Sequence, residues 1–201
     1  MDGIGWALSA MSAARSRLDV AAANLANGST VGFRKSTLRG FLSAAGVQLE
    51  RRVDDAQGAL RRTGRDFDLA IVGRGSFQLR AADGRVHGSR SGAFSRDRFD
   101  RLVDDAGRVL IGTRGPVCVP DGAHIDASGA IMRNGAVINR IALPAGSTVR
   151  SGFLESSNVD SIGEMIDVLT AQRSFETAQK VFSAIDQTRE RASSQVAELK
   201  G

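Results

Sequence analysis

The sequence has no tyrosine, one tryptophan, one cysteine and three prolines in 201 residues. Each shortage excludes something. A single thiol, Cys118, forms no internal disulfide, so the redox compartment stays open. With no tyrosine and no ribonucleoprotein-type aromatic cluster, the chain has no platform on which bases would stack. The two histidines, His87 and His124, are far apart and lack a Cys partner or an HExxH frame, so no zinc site is expected. No apolar run approaches the roughly 20 residues of a membrane span, so no direct membrane span is expected. The N-terminus, MDGIGWALSAMSAARSRL, has no basic region ahead of an apolar one, which argues against a secretory leader.

Catalytic frames are missing as well. GRGSF lacks the third glycine and the following helix of a dinucleotide fingerprint. GSRSG has arginine where a nucleophile elbow needs serine. Asp66 and Asp68 alternate with Phe67 and Leu69 and read as two solvated carboxylates. Cys118, in PVCVP, reads as a packed small hydrophobe. No catalytic residue, cofactor or metal is therefore expected, and the chain is not read as an enzyme.

What is present begins with charge. The net charge is +5, and 24 of the 27 basic residues are arginine. Acid is interleaved with them, as in SRDRFDRLVDD, which describes a solvated face. The alternative reading is an arginine-rich module for nucleic acid or another anionic polymer. That module would show salt-dependent binding, with a slope of about 0.9 per phosphate neutralised on duplex DNA. No nucleic-acid partner is expected on the main reading.

Turn residues are unevenly spread. Of 23 glycines, 15 lie from Gly58 to Gly152, with all three prolines. The ends are helical in pattern and the middle is turn-rich. At the first end Ile4, Met11, Leu18 and Leu25 recur every seven residues, with Leu8 and Ala22 on the adjoining row and Ala7, Ala14 and Ala21 beside them. Asn27 and Gly28 suit the helix C-cap because both tolerate the left-handed conformation. At the other end Val168, Ala171, Phe175, Ala178, Phe182, Ile185, Arg189, Ala192, Val196 and Leu199 alternate spacings of three and four. Ile162, Met165, Ile166 and Leu169 precede them on what reads as a slightly rotated stripe. Ser157 or Asn158 can start this helix, with Glu164 near its first turns. About 24 and about 40 residues give helices of roughly 36 and 60 Å. If the two pair, the longer one overhangs, and another copy or partner is expected to cover its seam.

In the middle, DFDLAIV, GRGSFQLR and RLVDDAGRVLIG read as strands and a hairpin, and IDASGAIMRNGAVINRIAL adds Ser-Gly and Asn-Gly turns. The expected class is α+β: long terminal α-helices packing as a coiled-coil-like pair, with a central, mainly antiparallel β domain. The expected boundaries are 1–36 for the N-terminal helix and its exit, 37–65 for an extended connector, 66–150 for the β domain and 151–201 for the C-terminal helix.

Three ordered blocks carry a resemblance. The first is Asn24-Leu25-Ala26-Asn27 followed by Ser29, Thr30, Gly32, Phe33 and Arg34. The second is GALRRTGRDFDLAIVGRGSFQL. The third is SGFLESSNVDSIGEMIDVLTAQRSFE, which includes Asn158. In order and spacing the chain resembles the bacterial flagellar rod and hook proteins, and within them the basal-body rod proteins, proximal or distal. The resemblance implies a structural subunit whose terminal helices pack together in a tube wall. Its expected partners are copies of itself, other rod or hook subunits, and the flagellar export apparatus. Its expected location is the flagellar basal body, reached without a cleaved signal peptide. Phe33 would anchor the chain's exit from the helix, with Arg34 and Lys35 solvated. Four features depart from the family pattern: Gly28, Ser76, a short segment at 141–151, and Asp100 in place of a hairpin glycine, where a different turn is expected.

Overall fold

The computed structural model describes residues 3–43 and 46–198; for residues 42, 43, 46 and 192–198 it describes the main chain alone. The chain divides into two compact units. One holds the residues up to Gly28, Lys35–Asp54, and those from Val159 onward. The other holds Ser29–Arg34 and Asp55–Asn158.

In the helical unit, α1 (Gly3–Ala26) pairs with α2 (Ser161–Glu198). The pairing is antiparallel: Gly3 abuts Ile185 at one end, and Asn24 bonds Glu164 at the other. The seam is closed by the smallest side chains. Ala7, Ala14 and Ala21 of α1 and Ala171 and Ala178 of α2 are buried, so the two backbones come close. Beyond Ile185, residues 186–198 of α2 run on past the first described residue of α1, for roughly 20 Å.

The stretch expected to be an extended connector is largely paired. β1 (Ser36–Ser43) and β2 (Gly46–Val53) form an antiparallel ribbon, Ser36 opposite Val53 and Ser43 opposite Gly46. The Val47 N–H donates to Ser9 Oγ at 3.0 Å, which ties the ribbon to α1. Val47 and Leu49 are half-buried while Gln48 and Glu50 are exposed, the period-two pattern of a strand with one sheltered face.

In the β unit, the strands are β3 (Leu60–Arg62), β4 (Leu69–Val72), β5 (Phe77–Arg80), β6 (Val86–Ser89), β7 (Ser95–Arg96), β8 (Leu102–Val103), β9 (Val109–Gly112), β10 (Gly115–Pro116), β11 (His124–Ile125), β12 (Ala130–Arg133), β13 (Ala136–Arg140), β14 (Thr148–Ser151) and β15 (Phe153–Glu155). The largest sheet runs β6-β5-β9-β8-β7, with β10 on β9; a second runs β11-β12-β13; β14 pairs β4 and β15 pairs β3. All these ladders are antiparallel. The core gathers Leu69, Ile71, Phe77, Leu79, Leu110 and their neighbours at no exposure, with Phe77 edge-on to Phe94.

One local device recurs in the turns. Asp104 Oδ1 accepts the N–H groups of Ala106 and Arg108, and its Oδ2 accepts Arg108 Nε at 2.7 Å across the turn made by Gly107. Asp97 does the same with Phe99 and Arg101. Asp126 repeats the backbone part with Ser128 and Ala130. Burial pulls Asp97 upward, but the Arg101 side chain and the two N–H groups outweigh it and hold its carboxyl below the usual range. The turn at Asp100 is therefore not different. Asp100 takes the left-handed conformation itself, φ 60°, where the sister turn uses Gly107 at φ 73°. The Asn-Gly turn between β12 and β13 has φ of 50° at Asn134 and 77° at Gly135, both positive as a type I′ hairpin requires.

Candidate assembly surface and motif residues

Ile4, Met11, Leu18 and Leu25 are half-buried beside the alanine row of α1. Leu8 and Ala22 are exposed; each follows an alanine of the buried row by one residue, which turns it about 100° away from the seam. On α2, Val168, Phe175, Phe182 and Ile185 are half-buried around Ala171 and Ala178. Ala192 and Val196 lie in α2, but their side chains are outside the described residues, and Leu199 lies outside them altogether.

The preceding stripe is not a slightly rotated continuation of this seam. Ile162, Met165, Ile166 and Leu169 are 52–72% exposed. At 3.6 residues per turn they stand roughly 180° round α2 from Ala171. Four large apolar side chains thus face away from α1.

A groove runs along another side of the helix pair. It encloses about 690 Å³ and is lined by Gly3, Trp6, Ala7 and Ala10 of α1 and by Thr177 and Val181, among others, of α2. Among the described residues Arg173 is its one charged lining residue. Trp6 and Val181 carried no signal in the seam pattern because neither lies on the seam.

The Asn24–Phe33 motif resolves into separate tasks. Asn24 is buried and knots the helical unit. Its Nδ2 donates to the Ser36 carbonyl at 2.8 Å and to Glu164 Oε2 at 3.1 Å, and its Oδ1 accepts the Ser36 N–H at 2.8 Å. An amide supplies donor and acceptor at once, which a leucine or an aspartate cannot. Asn27 caps α1 through Nδ2 to the Ala23 carbonyl at 2.8 Å. Neither Asn27 nor Gly28 is left-handed; the left-handed residue of the motif is Gly32, φ 67°. A Cβ on Gly32 would lie 2.3 Å from the Arg90 main chain, so nothing larger fits. Ser29 and Thr30 are exposed, and Phe33 and Lys35 are half-buried.

Arg34 is not solvated. It meets Asp55 Oδ1 at 3.0 Å and Glu155 Oε1 at 3.7 Å. Glu155, 1% exposed, gathers the segments that leave the β unit. Its carbonyl accepts the Gly32 N–H at 2.7 Å, its Oε1 accepts the Gly58 N–H at 3.2 Å, and its Oε2 takes Arg90 Nε at 2.8 Å and Nη2 at 2.7 Å. The remaining Arg90 donors reach the carbonyls of Ile71, Gly73 and Gly75, so all five N–H groups of this buried guanidinium are used. Asn158 belongs to the same root: its N–H donates to Phe33 O and its Nδ2 to Ala56 O. Neither Arg90 nor Glu155 stood out in the sequence, although Glu155 lies inside SGFLE and Arg90 inside GSRSG.

Of the two aspartates read as solvated, Asp66 is exposed, but Asp68 is 1% exposed, with Arg65 Nε 3.7 Å from its Oδ1. Its main chain is locked into the unit, where its carbonyl accepts the N–H groups of Gly152 and Phe153. Among the described residues no group of three or more His, Cys, Asp or Glu could hold a metal ion, and no helix is long and apolar enough to cross a membrane.

Two family models match. That of the flagella basal body rod protein covers residues 5–34, and that of the flagellar basal body rod FlgEFG protein C-terminal region covers residues 150–195. The flagellar basal-body rod protein FlgF of Escherichia coli K12 is 30% identical, over 91% of this chain and 94% of its own length. FlgG of Agrobacterium fabrum is 28% identical, over 93% and 96%. The flagellar hook protein FlgE of Brucella abortus is 34% identical over 73% of this chain, but over 38% of its own length. The FlgG alignment extends over 252 positions against the 201 residues here, so this chain lacks residues its relative has.

Proposed function

The chain belongs to the flagellar basal-body rod protein family and is a structural subunit of the flagellar rod; on that premise we propose that it assembles through the faces its helix pair leaves open. The neighbours are further copies of itself and other rod or hook subunits. The observation that carries this reading is the outward stripe Ile162, Met165, Ile166 and Leu169. Large apolar side chains in contiguous exposure mark a surface that another protein covers. The seam residues hold the subunit's own two helices together, and the stripe meets the neighbour.

The subunit leaves the cell through the flagellar export apparatus, with no segment cleaved. The reading as an arginine-rich nucleic-acid module has no support in the relatives, which are named as rod and hook proteins. Arg34, Arg90, Arg96, Arg101 and Arg108 are moreover committed to internal ion pairs.

Deleting the gene tests the reading. Non-motile cells with incomplete basal bodies are the expected outcome, and swimming cells with complete hooks would overturn it. The intact mass of the subunit recovered from purified basal bodies tests the export route: a mass short of the full chain would show cleavage.

A further inference from the structure

We propose that Asn134 is a site of spontaneous modification, where the main-chain nitrogen of Gly135 attacks the Asn134 side-chain amide and converts the residue to aspartate or isoaspartate. The proposal does not depend on the rod reading. It comes from what the fold does to four chemically similar dipeptides.

Asparagine or aspartate followed by glycine is open to this attack, because glycine has no Cβ to shield its nitrogen and asparagine is thermolabile. Among the described residues the chain has four such pairs: Asn27-Gly28, Asp83-Gly84, Asp121-Gly122 and Asn134-Gly135. Attack needs a free glycine nitrogen and an uncommitted side chain at once.

Three of the pairs lack one or both. The Gly28 N–H donates to the Leu25 carbonyl at 3.2 Å, and the Asn27 amide donates to the Ala23 carbonyl at 2.8 Å. The Gly84 N–H donates to the Ala81 carbonyl at 3.0 Å, and Asp83 Oδ1 accepts the Arg85 N–H at 2.9 Å. Asp121 Oδ1 is held by Arg96 Nη1 at 2.6 Å. That hydrogen bond and charge keep its carboxyl below the usual range, and an ionised carboxylate repels a nucleophile.

Asn134-Gly135 has both. The two residues make the turn between β12 and β13, with Arg133 opposite Ala136. In such a hairpin the flanking residues take the ladder bonds. The Gly135 N–H and the Asn134 side chain therefore enter no hydrogen bond among the described residues. Both residues are exposed. A Cβ on Gly135 would meet nothing within 4 Å, so the turn has open space in which the amide can swing onto the nitrogen.

The atoms balance with water alone. Hydroxide takes the Gly135 N–H proton, and the nitrogen bonds to Asn134 Cγ. The Cγ–Nδ2 bond breaks, and the amide leaves as ammonia with a proton from water, which restores the hydroxide. Water then opens the five-membered imide. Attack at Cγ gives aspartate, and attack at the main-chain carbonyl gives isoaspartate. Asp-Gly suits the same turn as Asn-Gly, so the first product keeps the hairpin. The second runs the main chain through the side-chain carbons, which lengthens a two-residue turn and strains the Arg133–Ala136 pairing. Either product adds a negative charge to the β unit, and the change accumulates with the age of the molecule.

The test incubates the full chain, folded, at neutral and at mildly alkaline pH. Samples are digested in acid, and mass spectrometry reads the amide-to-acid change at each asparagine. A protein-isoaspartate methyltransferase with a labelled methyl donor counts isoaspartate. Conversion at Asn134 should be at least about tenfold faster than at Asn27, a barrier difference of about 1.4 kcal/mol, and faster at the higher pH. In urea the two rates should converge. Comparable rates in the folded chain would overturn the proposal, as would an Asn134 that converts in urea and stays intact when folded. Rates that stay apart in urea would also overturn it, because the difference would then belong to local sequence and not to the fold. Asn134→Gly keeps a residue pair that the turn accepts and removes the amide. It should abolish methyl labelling of the folded chain, and labelling that persists unchanged would put the reactive site elsewhere.

Discussion

The two units hide their apolar surface differently. The β unit buries Leu69, Ile71, Phe77 and Leu110 completely, in a core that closes within one chain. The helical unit buries mainly alanines and leaves Ile162, Met165, Ile166, Leu169, Trp6 and Leu8 in the open. Charge divides the same way. The β unit has 16 basic residues against 11 acidic, and the helical unit 11 against 11, so the whole net charge of +5 sits in the β unit. A charged, self-sufficient unit keeps neighbours apart, while a neutral unit with open apolar faces draws them in. The contrast teaches which part is a finished domain and which is an assembly part.

The comparison breaks most severely if the β unit is opened from its root. Glu155→Ala leaves Arg90 buried without its carboxylate, which costs about 3–5 kcal/mol. Urea unfolding followed by a probe in the β unit should show that loss; a change below about 1 kcal/mol would mean the ion pair is dispensable. Next is the knot of the helical unit. Asn24→Ala strands the Ser36 N–H and carbonyl away from water, at a cost of about 1–3 kcal/mol. Its mark is faster amide exchange at Ser36, with the β unit's protection unchanged. Asp100→Gly runs the other way. It removes a left-handed residue with a side chain and should raise stability by up to about 1 kcal/mol. A lower midpoint would show that the Arg96–Asp100 pair at 3.5 Å outweighs the strain. Smallest in stability, and sharpest for the comparison, is Ile166→Asp. On a face open to water it should shift the monomer by no more than about 0.5 kcal/mol and yet abolish assembly. A variant that unfolds outright would mean the stripe is already covered within one chain.

Much of this was legible in advance. Periodicity marked both helices, because a packed helix cannot hide its spacing, and Asn-Gly and Asp-Ala-Gly marked hairpins whose turns need left-handed residues. The direction of the outward stripe was harder to read. Ile162 and Val168 belong to different faces, about 120° apart, and only the true position of α1 divides them. The β1–β2 ribbon escaped because each strand shows just two or three alternations. Arg90 and Glu155 escaped for a deeper reason. A buried ion pair 65 residues apart in sequence leaves no local pattern, and arginine and glutamate are by default surface residues. Asp68 was misread by the same default.

The repeated aspartate turns have a consequence for speed. Asp97, Asp104 and Asp126 each close their hairpin over at most four residues. Loops that short cost little entropy to close, and a β-hairpin forms in roughly 1–10 μs. The bonds of Glu155 to Gly58 and Gly32, by contrast, join segments from opposite ends of the β unit. A chain that folds from an extended state is therefore expected to form its hairpins first and to seal its root last. Stopped-flow measurements can read this order. Asp104→Ala should slow folding, whereas Glu155→Ala should chiefly speed unfolding, and the reverse pattern would place the root in the folding nucleus.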